Sequence, residues 1–153
     1  MPDWQAALMR SVKRSALVPY KAQQMFGLVD DVAAYPEFLP WCHSAEVHSR
    51  SDEVVEATLE LQKGAISKKF TTRNSRREFE AIDLALVGGP FKHLRGGWRF
   101  NDLGDAGSKV SLDLEFEFES RLTDLMFGTF FEEICNALVD AFSSRAAVVF
   151  GNE

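Results

Sequence analysis

The most regular stretch of the chain alternates. Between Gly107 and Glu119, Val110, Leu112, Leu114, Phe116 and Phe118 hold one parity, while Lys109, Ser111, Asp113, Glu115, Glu117 and Glu119 hold the other. A period of two belongs to an extended chain with one face buried and one in water, so this segment predicts a half-buried strand of an antiparallel sheet. Val55, Ala57, Leu59 and Leu61 alternate in the same way with Glu56, Thr58, Glu60 and Gln62. Ile82, Leu84 and Leu86 predict another strand, and Leu94, Gly96, Trp98 and Phe100 a further one. Gly88-Gly89-Pro90 and the run from Leu103 to Gly107 supply turn chemistry between them. Residues 10–17, 44–50 and 66–75 carry weaker versions of the pattern, for a total of about seven strands. Gly96-Gly97 inside a strand marks a bulge, a sharp bend or the close approach of another group.

Helical spacing brackets the strands. After Pro19, the segment Lys21 to Asp31 places Met25, Phe26, Leu28 and Val29 on one stripe. Tyr35 to Leu39, closed by Pro40, fits a short helix or turn. The last segment runs from Thr123 to about Val149, with Met126, Phe130, Ile134, Leu138, Phe142 and Val149 at helical spacing, widened by Phe127, Phe131, Cys135 and Val139. Thr123 or Asp124 is placed to cap its start. At 1.5 Å per residue it extends roughly 40 Å, enough to cross a small sheet. Strands followed by a helix define an α+β fold: one strand, two short helices, six strands and a long C-terminal helix on one face of the sheet. No linker, repeat or low-complexity segment interrupts residues 1–153, which read as one domain with its core between about residue 8 and residue 150.

Composition sharpens this picture at three points. There are 13 phenylalanines against two tyrosines, more aromatic bulk than a small domain needs merely to fold, so either the core is unusually aromatic or part of this bulk lines a cavity or an interface. The formal net charge of −6 argues against a dedicated nucleic-acid binder. The positive charge is nevertheless concentrated in one stretch: Lys63, Lys68, Lys69, Arg73, Arg76 and Arg77. The first residues do not resemble a signal peptide, and no apolar run reaches the ~20 residues of a membrane span. A reducing, cytoplasmic setting follows as the simpler expectation, with one Cys42–Cys135 disulfide left open by the count.

Three local motifs sharpen the reading. The first is Leu17-Val18-Pro19-Tyr20, followed by Met25-Phe26 and the run Leu28 to Val32; the second is Tyr35-Pro36-Glu37-Phe38-Leu39-Pro40-Trp41-Cys42. The third is the run Gly89 to Leu94 with Gly97-Trp98-Arg99-Phe100. Together with Phe116-Glu117-Phe118 and the terminal helix, they cover nearly the whole chain. On these residues the chain resembles the START-like, helix-grip superfamily. More narrowly, it resembles the coenzyme-Q-binding and polyketide-cyclase-like branch that includes the bacterial ribosome-association toxin. The resemblance implies a curved sheet gripping the C-terminal helix around a cavity. It also implies a lipophilic ligand, ubiquinone or a similar polyprenyl lipid, carried in support of respiration. The toxin branch implies instead a ribosomal subunit as partner and inhibition of translation. Lys21 departs from the pattern, in which relatives carry a serine-like N-cap.

Candidate residues follow from both lines. Tyr35, Phe38, Leu39, Trp41, Phe91, Leu94, Trp98, Phe100, Phe116, Phe118, Phe127, Phe131, Ile134 and Leu138 form the expected ligand-binding set. Aromatic walls suit a quinone ring by stacking and an isoprenoid tail by dispersion. At a typical roughly 300–1,000 Å³, such a pocket takes the head group and first isoprene units and leaves the tail outside. The segment Tyr35 to Cys42 has two readings, a lid over the cavity mouth or a plug on the open sheet edge. The six basic residues have three: a solvated face, a contact for anionic lipid at the inner face of the membrane, or a contact for ribosomal RNA. Cys42, His43, His48, His93 and Cys135 lack metal-ligand spacing, and His93 reads as a solvated residue next to Arg95 and Arg99. No Ser-His-Asp order or nucleophile elbow is present, and the acids of the Glu115 strand have no burial to raise their pKa. The residues therefore point to a binding module with no required cofactor. An aromatase/cyclase-like enzyme is a further alternative that needs a buried acid, base or arginine. Oligomeric state stays open, because the wide helical stripe suits a dimer interface as well as a cavity.

Overall fold

Alternation along the sequence resolves into one antiparallel sheet of seven strands, in the order β1-β7-β6-β5-β4-β3-β2. The strands are β1 Arg10–Val18, β2 Cys42–Arg50, β3 Val54–Lys63, β4 Ile66–Arg77, β5 Ala81–Gly88, β6 Phe91–Asp102 and β7 Ser108–Phe118. The computed structural model describes residues 9–151, so the outermost residues of the expected domain lie outside the described residues. Strands β2 to β7 form a simple meander, while β1 joins β7 across the full register from Arg10↔Phe116 to Val18↔Ser108. The sheet edges are therefore β1 and β2. Between β1 and β2 lie α1, Ala22–Asp30, and a short 3₁₀ helix, Val32–Glu37. The fold is the α+β helix-grip arrangement expected from the strand and helix order.

The glycine pair marks a close approach. Gly96 has φ +137°, and a Cβ there would lie 2.0 Å from the Asp113 carbonyl oxygen. The register shift in β6 falls elsewhere, between Phe91 and His93. Further shifts occur in β2 at Cys42/Ser44 and Val47/Ser49, and in the β4–β5 pairing at Thr71/Thr72. Such irregularities bend a strand and re-aim its side chains.

The long helix differs in detail from the pattern. It opens with α2, Arg121–Thr123, passes through a π-helical turn at Asp124–Gly128 and continues as α3, Thr129–Phe150. Its cap is Ser120, whose hydroxyl accepts the Thr123 N–H at 3.1 Å, and not Thr123 or Asp124. The Asp124 carboxylate is engaged elsewhere: Arg10 of β1 donates to both its oxygens, at 3.0 and 2.9 Å, and to Glu132 at 3.0 Å. This fork ties an edge strand to the start of the helix. Gly128 makes room for it, because a Cβ there would sit 2.7 Å from the Arg10 guanidinium. The apolar stripe is centred one residue later than Met126 and Phe130 suggest. Phe127, Phe131, Ile134, Cys135, Val139, Phe142 and Ala146 are buried, while Met126 and Val149 are exposed.

At the start of α1, the Lys21 side chain makes no cap bond, as its chemistry requires, but the Gln24 side chain accepts the Lys21 N–H at 3.0 Å. The departure at Lys21 thus leaves half of a capping box in place. Cys42 and Cys135 are both buried and both free thiols.

Two stability experiments follow. Asp124→Asn leaves the part-buried Arg10 with half its partners and is expected to destabilise by about 1–3 kcal/mol in urea denaturation, whereas Glu56→Ala, which loses an exposed pair with Arg73, stays within about 0.5 kcal/mol. Gly96→Ala forces both a positive φ and a backbone collision, and should cost at least about 2 kcal/mol by the same assay.

Candidate functional site

Between the concave face of the sheet and α3 the side chains do not fill all the space. They enclose a cavity of about 90 Å³. Its walls come from four places. The sheet contributes Ala57, Leu59 and Leu61 of β3, Phe70, Thr72 and Asn74 of β4, Leu84 of β5, Leu94 and Trp98 of β6, and Leu114 of β7. The helix contributes Phe131, Ile134, Cys135, Leu138 and Phe142, and the α1–β2 connection contributes Val32, Tyr35 and Trp41.

Half of the expected ligand-binding set therefore reaches this space: Tyr35, Trp41, Leu94, Trp98, Phe131, Ile134 and Leu138. The other half does not. Phe91, Phe116, Phe118 and Phe127 pack with Phe131 into an aromatic block, with ring centroids 4.7 Å apart for Phe91–Phe118 and 4.8 Å for Phe116–Phe131. Phe100 packs edge-on against Phe26 of α1, and Leu39 is buried in the core. Phe38 lies against Tyr35 and Phe142 beneath the Arg145 guanidinium, whose carbon is 5.0 Å from the ring centroid. The phenylalanine excess is thus spent mainly on dense edge-to-face packing, and of the 18 residues in the cavity wall nine are aliphatic and six aromatic.

The segment Tyr35 to Trp41 spans from the β2 edge to the helix. The Tyr35 hydroxyl donates to the Val29 carbonyl, which anchors the segment to the end of α1. Burial pushes the Tyr35 phenol well above its ordinary range, so it remains a neutral donor. At the other end Arg145 of α3 lies 3.6 Å from Glu37. Trp41 is half-buried and forms part of the cavity wall. The segment thus lies beside the edge strand β2 and contributes Tyr35 and Trp41 to the cavity wall.

Eleven of the 18 lining residues lie outside the expected set, and two of these are polar. Thr72 and Asn74 are each 8% exposed, and the Thr72 hydroxyl donates to Asn74 Oδ1 at 2.8 Å. Their strand carries the basic stretch and shows no apolar alternation, so its inner face could not be told from its outer face in the sequence. The signal was the register itself: Thr72 pairs with Ala57 and Asn74 with Val55, both inward-facing.

The basic stretch is divided by the same alternation. Arg76 donates to both oxygens of Asp30, at 2.7 and 2.9 Å, and its guanidinium carbon lies 5.3 Å from the centroid of the Phe26 ring. Hydrogen bonding to Asp30 raises its pKa further, and as a partly buried structural cation it is not a surface contact. Arg73 pairs with Glu56 at 3.2 Å on the outer face, where Lys69 and Arg77 are also exposed. Lys68 shares the inner parity of Phe70, and Lys63 Nζ lies 5.4 Å from the centroid of the Phe130 ring at the start of the helix. His93 is likewise not a fully solvated residue: it is half-buried, and its Nε2 has no hydrogen-bond partner among the described residues.

Among the described residues, no group of histidines, cysteines and acids is arranged to hold a metal ion. The cavity wall carries no carboxylate, histidine, lysine or arginine. Its Cys135 thiol is pushed up by burial, and that of Cys42, outside the wall, is pushed up to about 11 by the same cause. No helix among the described residues is long and apolar enough to cross a membrane.

This geometry has known counterparts. The family model described as polyketide cyclase/dehydrase and lipid transport matches residues 18–143. The ribosome association toxin RatA of Vibrio cholerae is 49% identical over 143 residues, covering 94% of this chain and 99% of that protein. The mitochondrial coenzyme Q-binding protein COQ10 homolog B of Xenopus laevis is 29% identical, covering 91% of this chain and 59% of that protein. Among solved structures, the Zhui aromatase/cyclase of Streptomyces sp. R1128 superposes with a TM-score of 0.81 at 17% identity, covering 95% of this chain and 99% of that one, a likeness of fold. A sheet gripping its C-terminal helix around an apolar cavity, and a match across most of the chain, place this protein in the polyketide cyclase/dehydrase and lipid transport family, on the START-like helix-grip fold.

Proposed function

We propose that this chain is a single lipophilic-ligand-binding domain that takes a polyprenyl lipid, coenzyme Q foremost, into the cavity between sheet and helix, acting as a carrier or chaperone that supports respiration. The observation that carries this is the wall: 16 of its 18 residues are apolar or aromatic, and none is an acid or a base. The name of the Xenopus relative supports the ligand class. At about 90 Å³ the closed cavity is smaller than the roughly 300–1,000 Å³ usual for such ligands, so uptake includes an opening step. In this reading the segment Tyr35 to Trp41 supplies it, because Trp41 is a half-buried lining residue on the one part of the wall outside the sheet and the long helix. The head group occupies the cavity, and the remaining isoprene units lie outside.

The same wall supports binding over catalysis. Cyclisation needs a positioned acid or base, and the ionisable groups of the wall are a phenol and a thiol that burial keeps neutral. Peripheral contact at the inner, cytoplasmic face of a membrane rests on Leu122, Leu125 and Met126. These are exposed around the π-helical turn, close in sequence to Phe130, which packs against Lys63.

A second reading is favoured by the 49% identity to RatA of Vibrio cholerae over nearly all of both chains. In this reading the protein binds a ribosomal subunit through its outer sheet face, with Lys69, Arg73 and Arg77 meeting RNA phosphates. The two readings use different surfaces, so they are tested separately.

Native mass spectrometry of the purified protein, followed by organic extraction, is expected to find a quinone or other polyprenyl lipid at substantial occupancy. A protein that is empty and also refuses added quinone overturns the carrier reading. Trp41→Ala should weaken lipid binding by about tenfold while shifting stability by less than about 1 kcal/mol; equal losses in both sink the lid. For the second reading, co-sedimentation with ribosomal subunits should fall steeply between about 50 and 200 mM salt and be lost on joint Lys69→Glu and Arg77→Glu substitution. A flat salt response removes it.

A further inference from the structure

Of the two polar residues in the cavity wall, Thr72 and Asn74, only Asn74 carries donors with no hydrogen-bond partner among the described residues. Four polar or charged residues are buried among those described: Thr72, Asn74, Ser108 and Asp124. Three have their partners. Ser108 donates to the Tyr20 carbonyl at 2.8 Å, Asp124 accepts the Arg10 fork, and Thr72 donates to Asn74 Oδ1. Asn74 is left with its amide donors unspent, in a residue that is more than nine-tenths buried and lines the cavity.

This placement is costly if its only role is packing. The inner faces of β3, β5 and β6 beside it read Val55, Ala57, Leu59 and Leu61; Ile82 and Leu84; and Leu94, Trp98 and Phe100. Asn74 pairs in register with Val55 on one side and Leu84 on the other. An aliphatic residue would fill that position without loss, whereas an amide whose donors meet no protein partner gains nothing from the apolar side chains around it, and loses its remaining solvation once an apolar guest covers it. The Thr72 hydroxyl accounts for the orientation. By occupying Oδ1 it turns the NH₂ end of the amide away from itself.

Building on the lipophilic-ligand reading, we propose that Asn74, oriented by Thr72, is the polar anchor of the cavity. It selects amphipathic ligands that present a hydrogen-bond acceptor, such as a ring carbonyl, at the buried end. A pure hydrocarbon satisfies the apolar wall and leaves the amide unpaired. A carbonyl-bearing ring satisfies both, and so enters ring first with its chain toward the lid. The selectivity arises from the penalty on the wrong ligand as much as from the bond to the right one.

The test compares two probes of matched chain length by equilibrium dialysis: decyl-ubiquinone, which carries ring carbonyls, and decylbenzene, which carries no oxygen. Wild-type protein is expected to favour the quinone by at least about tenfold, one well-made hydrogen bond's worth. In Asn74→Leu the quinone should lose about tenfold while decylbenzene holds or gains, and thermal stability should stay level or rise. Thr72→Val should shift the quinone in the same direction by a smaller factor, and it serves as the second variant should Asn74→Leu fail to fold. Wild-type protein that binds both probes equally, or an Asn74→Leu variant that binds the quinone as wild type does, overturns the anchor and leaves lipid binding standing. Wild-type protein that binds neither probe overturns the lipophilic-ligand reading and the anchor with it.

Discussion

One helix has to cover the apolar face of seven strands. At about 4.8 Å between neighbours, the sheet is about 29 Å wide if flat, whereas a helix with its side chains is about 10–12 Å across. Much of the remaining architecture answers this mismatch. The sheet is kinked by register shifts in β2, β5 and β6. Large aromatic side chains fill the space beside the helix on the β6–β7 side. The α1–β2 connection fills it on the β2 side. The cavity is what remains where neither contribution reaches.

The same mismatch explains why the helix is held at its start by charge and not by apolar packing alone. Arg10, Asp124 and Glu132 form a forked ionic contact where an edge strand meets the helix. Forked guanidinium–carboxylate pairs fix direction as well as distance. A π-helical turn lies at this point, and it brings Asp124 and Phe127 inward while leaving Leu125 and Met126 outward.

The fold was legible because its strongest signals are periodic. The β7 alternation, the β3 alternation and the order of strands and helices all survive in the structure. The site was legible only in part, because parity says which face a residue occupies and not how tightly that face is filled. Phe116 and Phe118 point inward as read, yet they meet other rings before they meet open space. Thr72 and Asn74 escaped notice for the opposite reason: polar residues facing a core break the very pattern used to find the core. Arg76 was grouped with Lys69 and Arg73 by proximity in sequence, but it lies on the other face and reaches Asp30, 46 residues away. The helix begins at Arg121 behind the Ser120 cap, ahead of the expected Thr123, and the π-helical turn that follows adds a residue to the inward stripe that a period of 3.6 does not anticipate.

The attachment of the α1–β2 connection is unequal at its two ends. Near Tyr35 it is held by a buried hydrogen bond to Val29 and by an aromatic contact with Phe142. Near Glu37 and Phe38 it is held by Arg145, through a long ion pair and the face of an exposed-side ring. Such a segment is fastened to α1 by buried contacts and to the far half of α3 in part by charge. Salt screens the Arg145–Glu37 pair and leaves the buried contacts of Tyr35 and Leu39 untouched, so ionic strength acts unequally on the two ends of one short connection.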